Sequence, residues 1–173
     1  NNGLKIQEFM IRPDKAKNFS EAMNICFLVI QNLKKLLISK NLSISVGDEG
    51  GFSPEISNNR ECLDMIIKSV DESNYKIGKD IFLGLDVAST EFYENNKYIL
   101  KGENLSLSSE ELIRYYEDLL KNYPILSIED GLSENDWNGW SNLTDHLGNK
   151  CQLVGDDLFV TNPERFRNGI KKN

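Results

Sequence analysis

Residues 81–88 read IFLGLDVA, an apolar run of strand length interrupted by one acid, Asp86. A strand with one wet face alternates apolar and polar residues, whereas a run this continuous suits a strand buried on both faces, the habit of parallel sheets. ILSIED (125–130) and CQLVGDD (151–157) repeat the pattern, each closing on carboxylates. Helical patterns follow both: ENDWNGWSNLTDHLG (134–148), and TNPERFRNGIKKN (161–173) with Asn162 as N-cap and Pro163 at the first helical position. Strand and helix in alternation, with short connections, predict an α/β fold whose parallel sheet has right-handed crossovers.

Further out, SSEELIRYYEDLLKN (108–122) opens on a capping box, Ser108 to Glu111, and reads as helix through Leu119. EFYENNKYIL (91–100) predicts a hairpin turning at Asn95-Asn96. NNRECLDMIIKSVDES (58–73) predicts a helix with Cys62, Ile66 and Val70 on one face. A longer helix runs from Asn18, paired with Glu21 in a start similar to a capping box, to Lys40-Asn41. Its stripe of Met23, Phe27, Ile30, Leu33 and Leu37 is expected to pack into the core. LKIQEFMI (4–11) alternates like a strand and ends at Arg12-Pro13-Asp14. No repeat, linker or low-complexity segment divides the chain, so residues 1–173 are expected to form one unit.

Composition narrows the function classes. With 173 residues, 39% hydrophobic and 27% charged, and a mean hydropathy of −0.44, the chain suits a soluble globular protein. No uninterrupted apolar run approaches the ~18 residues of a membrane span, so none is expected. A formal charge of −7 and a pI near 4.8 disfavour nucleic acid as a partner. Cys26, Cys62 and Cys151 form no CxxC pair and read as small core residues of a cytosolic protein. The single histidine, His146, precedes Gly148 at a helix C-terminus and reads as a cation against the helix dipole. The chain starts at Asn1 without Met or a signal sequence and stops inside a helical pattern, so both ends read as cut.

The acids carry the chemistry. Asp86, Glu129 and Asp156 each stand at or near the C-terminal end of an apolar strand, separated by 43 and 27 residues, each about one βα unit. In a parallel barrel or open sheet those ends converge where ligands bind. Three carboxylates gathered there repel unless protonated or neutralised by a cation, and an all-oxygen set favours Mg2+ over Zn2+. The alternative is three unrelated acids capping the helices that follow; Asp130 and Asp157, the second acids of their pairs, suit that lesser task. Separately, SVGDEGGFSP (45–54) sets Asp48 and Glu49 between glycines, a turn by itself or a place where backbone comes close to a ligand.

Taken in order, IQEFMI, VGDEGGFSP, GLDVASTEFY, YPILSIEDGLSENDW and QLVGDDLFVTNPERF resemble the successive signatures of the enolase (phosphopyruvate hydratase) family in its bacterial style. The resemblance runs through essentially all of the chain but covers less than half of an enolase. It implies a partial (β/α)8 TIM-like barrel from the enolase C-terminal domain, a barrel of modified order that opens β-β-α-α. The N-terminal domain, the first barrel strand and the last three lie outside it. It further implies Asp86, Glu129 and Asp156 as Mg2+ ligands, Glu49 as general acid, Gln7 as a substrate contact, and Glu8 as a second catalytic and substrate-contacting carboxylate. The implied reaction is reversible dehydration of 2-phosphoglycerate to phosphoenolpyruvate in glycolysis, with the superfamily's division between a Lys or His base and Mg2+.

The base lysine of the family, in an apolar-Lys-Val/Phe-Asn-Gln-Ile-Gly run, is absent, as are the Ser-His-Arg-Ser segment and the N-terminal mobile loop. Lys79, Lys97 and Lys101 do not match those motifs. The 173 residues alone are therefore expected not to turn over, and their open barrel edges to promote oligomers or poor solubility. Ser53 and Thr90 are minor departures. Family resemblance also implies a homo-oligomer at full length and a cytoplasmic location, with secreted or surface forms in some members. One alternative is a non-catalytic binding fragment, of the plasminogen or degradosome type; the terminal Lys171 and Lys172 read better as an exposed helix end. Another enolase-superfamily member acting on acid sugars or muconate fits the glycine-flanked acidic loop less well.

Overall fold

The computed structural model describes residues 3–56 and 58–172. A four-stranded sheet has the order β1 (Glu8–Arg12), β2 (Phe82–Asp86), β6 (Ile125–Glu129) and β7 (Gln152–Val154). β2, β6 and β7 are parallel, each followed by a connection that leads to a helix: α3 (Ser109–Asn122), α4 (Trp137–Leu147) and α5 (Pro163–Lys172). A small antiparallel sheet, β3 (Tyr93–Glu94), β4 (Lys97–Leu100) and β5 (Leu105–Leu107), is inserted between β2 and α3. Its turn residues Asn95 and Asn96 are both left-handed, as a two-residue hairpin requires.

β1 departs from the parallel expectation and pairs antiparallel with β2. The reason is the number of helices between them. α1 (Phe19–Ser39) and α2 (Asn59–Glu72) form a helical pair, and crossing twice instead of once returns the chain to the end of the sheet where β1 finished, so β2 runs back the other way. The start of β1, not its end, therefore meets the C-terminal ends of the parallel strands. Pairwise register places Glu8 opposite Asp86 and Asp86 opposite Glu129, three acids in one row on one face. One pleat below, Met10, Gly84 and Ser127 make the next row. A Cβ at Gly84 would lie 2.8 Å from Ser127 Oγ and 3.6 Å from Met10 Cε, so glycine is what lets this floor close under the acids.

On the other face, Leu83, Leu85 and Ile128 pack with Leu112, Tyr116, Leu119, Leu143 and Leu147 of α3 and α4 in the main core, each 1% exposed or less. Truncating one of these to Ala costs about 2–5 kcal/mol. Of the cysteines, Cys151 is buried and Cys26 and Cys62 are half-buried; all three are free thiols. Burial pushes the Cys62 thiol up to about 12, which leaves it inert as a nucleophile.

The stripe assigned to α1 is corrected in part, since of its five residues Leu33 and Leu37 pack into the core. Ile25, Val29, Leu36 and Leu37 are its buried residues, while Met23, Phe27 and Ile30 are exposed. α1 carries two apolar arcs, and periodicity alone does not say which one finds α2. The second arc also makes α1 long and apolar enough on average to cross a membrane, although polar residues interrupt every apolar run in it and, as expected, no run of about 18 apolar residues occurs.

Candidate active site

The acidic row forms one side of a cavity of about 560 Å³ above the strand ends. Glu8, Asp86 and Glu129 line it from the sheet, Asp130, Asp156 and Asp157 from the loops after β6 and β7, and Gln7 and Glu49 from across the mouth. No lysine or histidine lines it among the described residues. All six residues expected at a site from sequence are thus brought to one cavity.

Their grouping differs from expectation in one respect. Carboxylate oxygens of Asp86, Glu129 and Asp130 lie within 4.8 Å of one another, and Asp156 stands outside this tightest group. Asp130, however, is already engaged: it is buried, and its Oδ2 accepts from the Asp157 amide at 2.9 Å and its Oδ1 from the Leu158 amide at 3.3 Å. It ties the β6 loop to the β7 loop and does not cap the helix after its own strand, the task expected of it. Asp86 is the opposite case. Its Oδ2 accepts from Gln7 Nε2 at 3.2 Å, while its Oδ1 is buried with no hydrogen-bond partner. A buried carboxylate oxygen without a donor is costly, and a cation is the natural complement.

Electrostatics agree with that. Burial holds the Asp86 carboxyl above its usual range, and Asp130 and Glu49 add like-charge repulsion. Glu129 is raised by burial and then by Asp86 and Asp130, and Glu8 by burial and then by Glu49 and Asp86. Each of these shifts would be offset by a divalent ion of the opposite sign.

The backbone is strained at the same place. Among the described residues, nine non-glycine residues have positive φ; five are asparagines. The other four, Ala88, Asp130, Val160 and Thr161, all follow the mouth strands β2, β6 and β7. Val160 and Thr161 are β-branched and adjacent, at φ 40° and 56°. Such conformations cost on the order of 1–3 kcal/mol each, persist where surrounding contacts over-determine them, and cluster at functional sites.

Those contacts are present. The Ser89 amide and hydroxyl both donate to Asp130 O, at 3.1 and 2.7 Å, and Tyr116 O–H donates to Gly131 O at 2.7 Å. Trp140 Nε1 donates to Leu132 O at 3.1 Å, and the Glu134 amide to Thr90 Oγ1 at 3.0 Å. The Ser133 amide donates to Tyr98 Oη, whose own O–H donates to Asp136 Oδ2, both at 3.0 Å.

Glu49 sits in an exposed loop closed by an isolated bridge between Val46 and Phe52. Gly50 is there for its φ of 90°, and Gly51 for space, since a Cβ on it would lie 3.3 Å from Glu8 Oε2. The missing side chain thus admits the Glu8 carboxylate. Gln7 Nε2 reaches Glu49 Oε1 at 3.4 Å and so spans the gap between the loop and Asp86.

Residues 1–173 match the family described as "Enolase, C-terminal TIM barrel domain". The chain belongs to that family. An enolase from Pelagibacter ubique (strain HTCC1062) is 54% identical over 173 residues, which is all of this chain and 41% of the relative. The chain thus spans about two-fifths of the length of the curated relative it matches, and its open four-stranded α/β sheet is part of the enolase barrel. Within that family context the two helices between β1 and β2 match the β-β-α-α opening that the motifs implied.

Proposed function

We propose that this chain supplies the cation platform and the general acid of an enolase, 2-phospho-D-glycerate hydro-lyase, which interconverts 2-phosphoglycerate and phosphoenolpyruvate. The observation that carries the reading is the donorless buried Oδ1 of Asp86, set among Glu129 and Asp130 and joined through Gln7 to Glu49. Asp86, Glu129 and Asp156 would hold Mg2+; Asp130 is excluded because both its oxygens already accept backbone amides. When bound, the ion supplies Lewis-acid stabilisation for negative charge developing on the substrate carboxylate.

The chain's own residues do the rest of the leaving-group chemistry. As the C2 proton departs to a base, the C3 hydroxyl must leave as water, and Glu49 in its protonated form gives it that proton. Gln7 Nε2 donates to Glu49 Oε1 and so steadies the carboxyl where Glu49 lines the cavity. Glu8, its carboxyl held high by burial and by Glu49, stands as a second proton store beside it. Acid help of this kind contributes about 10²- to 10⁴-fold.

No lysine or histidine lines the cavity among the described residues to serve as the family's base, so these 173 residues alone are proposed not to turn over, and the activity belongs to the whole protein. That protein is proposed to be a cytoplasmic homo-oligomer, as enolases are. The test is phosphoenolpyruvate absorbance in the whole protein: robust turnover, lost in Glu49→Gln, is expected. Full turnover with Glu49→Gln would refute the assignment.

A further inference from the structure

We propose that Arg165 is a positioning residue for the loop that carries Asp156, holding it in its ligand geometry from α5. The inference rests on the reading above that Asp156 helps to bind the cation. Arg165 is half-buried at the first turn of α5, and Nε donates to Leu158 O at 2.5 Å. Its Nη2 donates to Glu134 O, in the loop after β6. The guanidinium lies over the Trp137 ring, 5.2 Å from the centroid. One planar fork therefore joins the two neighbouring loops that bring Asp130, Asp156 and Asp157 to the cavity.

The β7 loop is thus gripped at Leu158 from two directions. The Asp130 carboxylate takes its amide, and Arg165 takes its carbonyl. Directly after it, Phe159 occupies a slot that two glycines leave open; a Cβ at Gly155 would lie 2.9 Å from its ring and one at Gly169 2.8 Å. Val160 and Thr161 then turn through their left-handed conformations into α5. A strained turn relaxes unless something holds both sides of it. Asp130 secures the sheet side and Arg165 the helix side, so loss of Arg165 lets the turn relax and carries Asp156 with it.

The test is Mg2+ titration by calorimetry on the whole protein, without substrate, for wild type, Arg165→Ala and Arg165→Lys, with melting midpoints taken separately in metal-free buffer. Partners that orient a ligand's surroundings typically contribute 10- to 100-fold to metal affinity. About ten-fold weaker Mg2+ binding is expected for Arg165→Ala. Arg165→Lys, which keeps the stem and charge but not the fork, should fall between that and wild type. A lowered midpoint with unchanged Mg2+ affinity in Arg165→Ala overturns the proposal, as it marks Arg165 as a mere fastener of α5. If Arg165→Ala does not fold, Arg165→Lys decides alone, and wild-type affinity in it overturns the proposal. Absence of Mg2+ binding by wild type instead removes the cation reading, and this inference with it.

Discussion

Across one cavity, two loops bearing carboxylates are built in different ways. The loop after β6, from Asp130 to Asp136, is tied to the surrounding fold by the side chains of Ser89, Thr90, Tyr98, Tyr116 and Trp140, and its partner after β7 is clasped by Asp130 and Arg165. The loop bearing Glu49 is exposed from Ser43 to Gly51 and closes mainly on itself, through Gly47 N to Gly51 O, Gly50 N to Gly47 O and Ser53 N to Ser45 O. Its link across the mouth is the 3.4 Å contact from Gln7. On the proposed reading, the difference follows from what each side would do. Like charges gathered at one point push apart, so a cation platform needs scaffolding, whereas an acid need only reach the leaving group. Sparse cross-links also make local opening inexpensive on the Glu49 side.

The sharpest way to separate the two sides is Glu49→Gln. It should lower turnover of the whole protein by about 10²- to 10⁴-fold while Mg2+ affinity by calorimetry stays close to wild type. A large loss of Mg2+ affinity would show that the acid loop and the platform are one unit. Next in size is a stability contrast, measured by urea denaturation. Tyr98→Phe deletes a fully buried hydroxyl that serves both Ser133 and Asp136, and should cost about 1–3 kcal/mol. Asp48→Asn, in the exposed loop, should stay within about 0.5 kcal/mol of wild type. Equal costs would contradict the contrast drawn here.

A smaller effect concerns pH in metal-free buffer. The Asp86 carboxyl in the folded chain sits above its ordinary 3.8, so between that value and its folded one the native state binds more protons than the unfolded state. Its contribution to stability therefore declines as pH rises through that window and then levels off. Asp86→Asn removes this penalty, so its stability relative to wild type should improve from pH 4 toward pH 7 in matched urea melts. A relative stability that worsens with pH would mean that Asp86 is already paired with a positive group.

Much of this was legible in the sequence because each strand announces itself. IFLGLD, ILSIE and QLV are short apolar runs, and the acids at or just after their ends mark the mouth, although QLV is only half-buried with Gln152 exposed. The capping box at Ser108 and the Asn95-Asn96 turn were equally local signals, and both appear as expected. What did not show was information held in three dimensions. β1 runs antiparallel because two helices, not one, precede β2, and the row of Glu8, Asp86 and Glu129 exists only because of that reversal. β5 was missed because LSL is too short to show alternation. Asp130 was visible as a second acid, but its clasp on Asp157 and Leu158 depends on the neighbouring loop. Arg165 gave no signal beyond a charge near a helix start. The α1 stripe misled because two apolar arcs share one helix, and which of them packs is decided by α2.

The central claim is that the acidic row is a cation platform, and thermal melting of the protein with increasing Mg2+ tests it most directly. Wild type should gain stability with concentration, approaching about 2.7 kcal/mol at a hundred times the dissociation constant, and Glu129→Gln should lose most of that gain. No stabilisation of wild type by Mg2+, or the same stabilisation in Glu129→Gln, would contradict it.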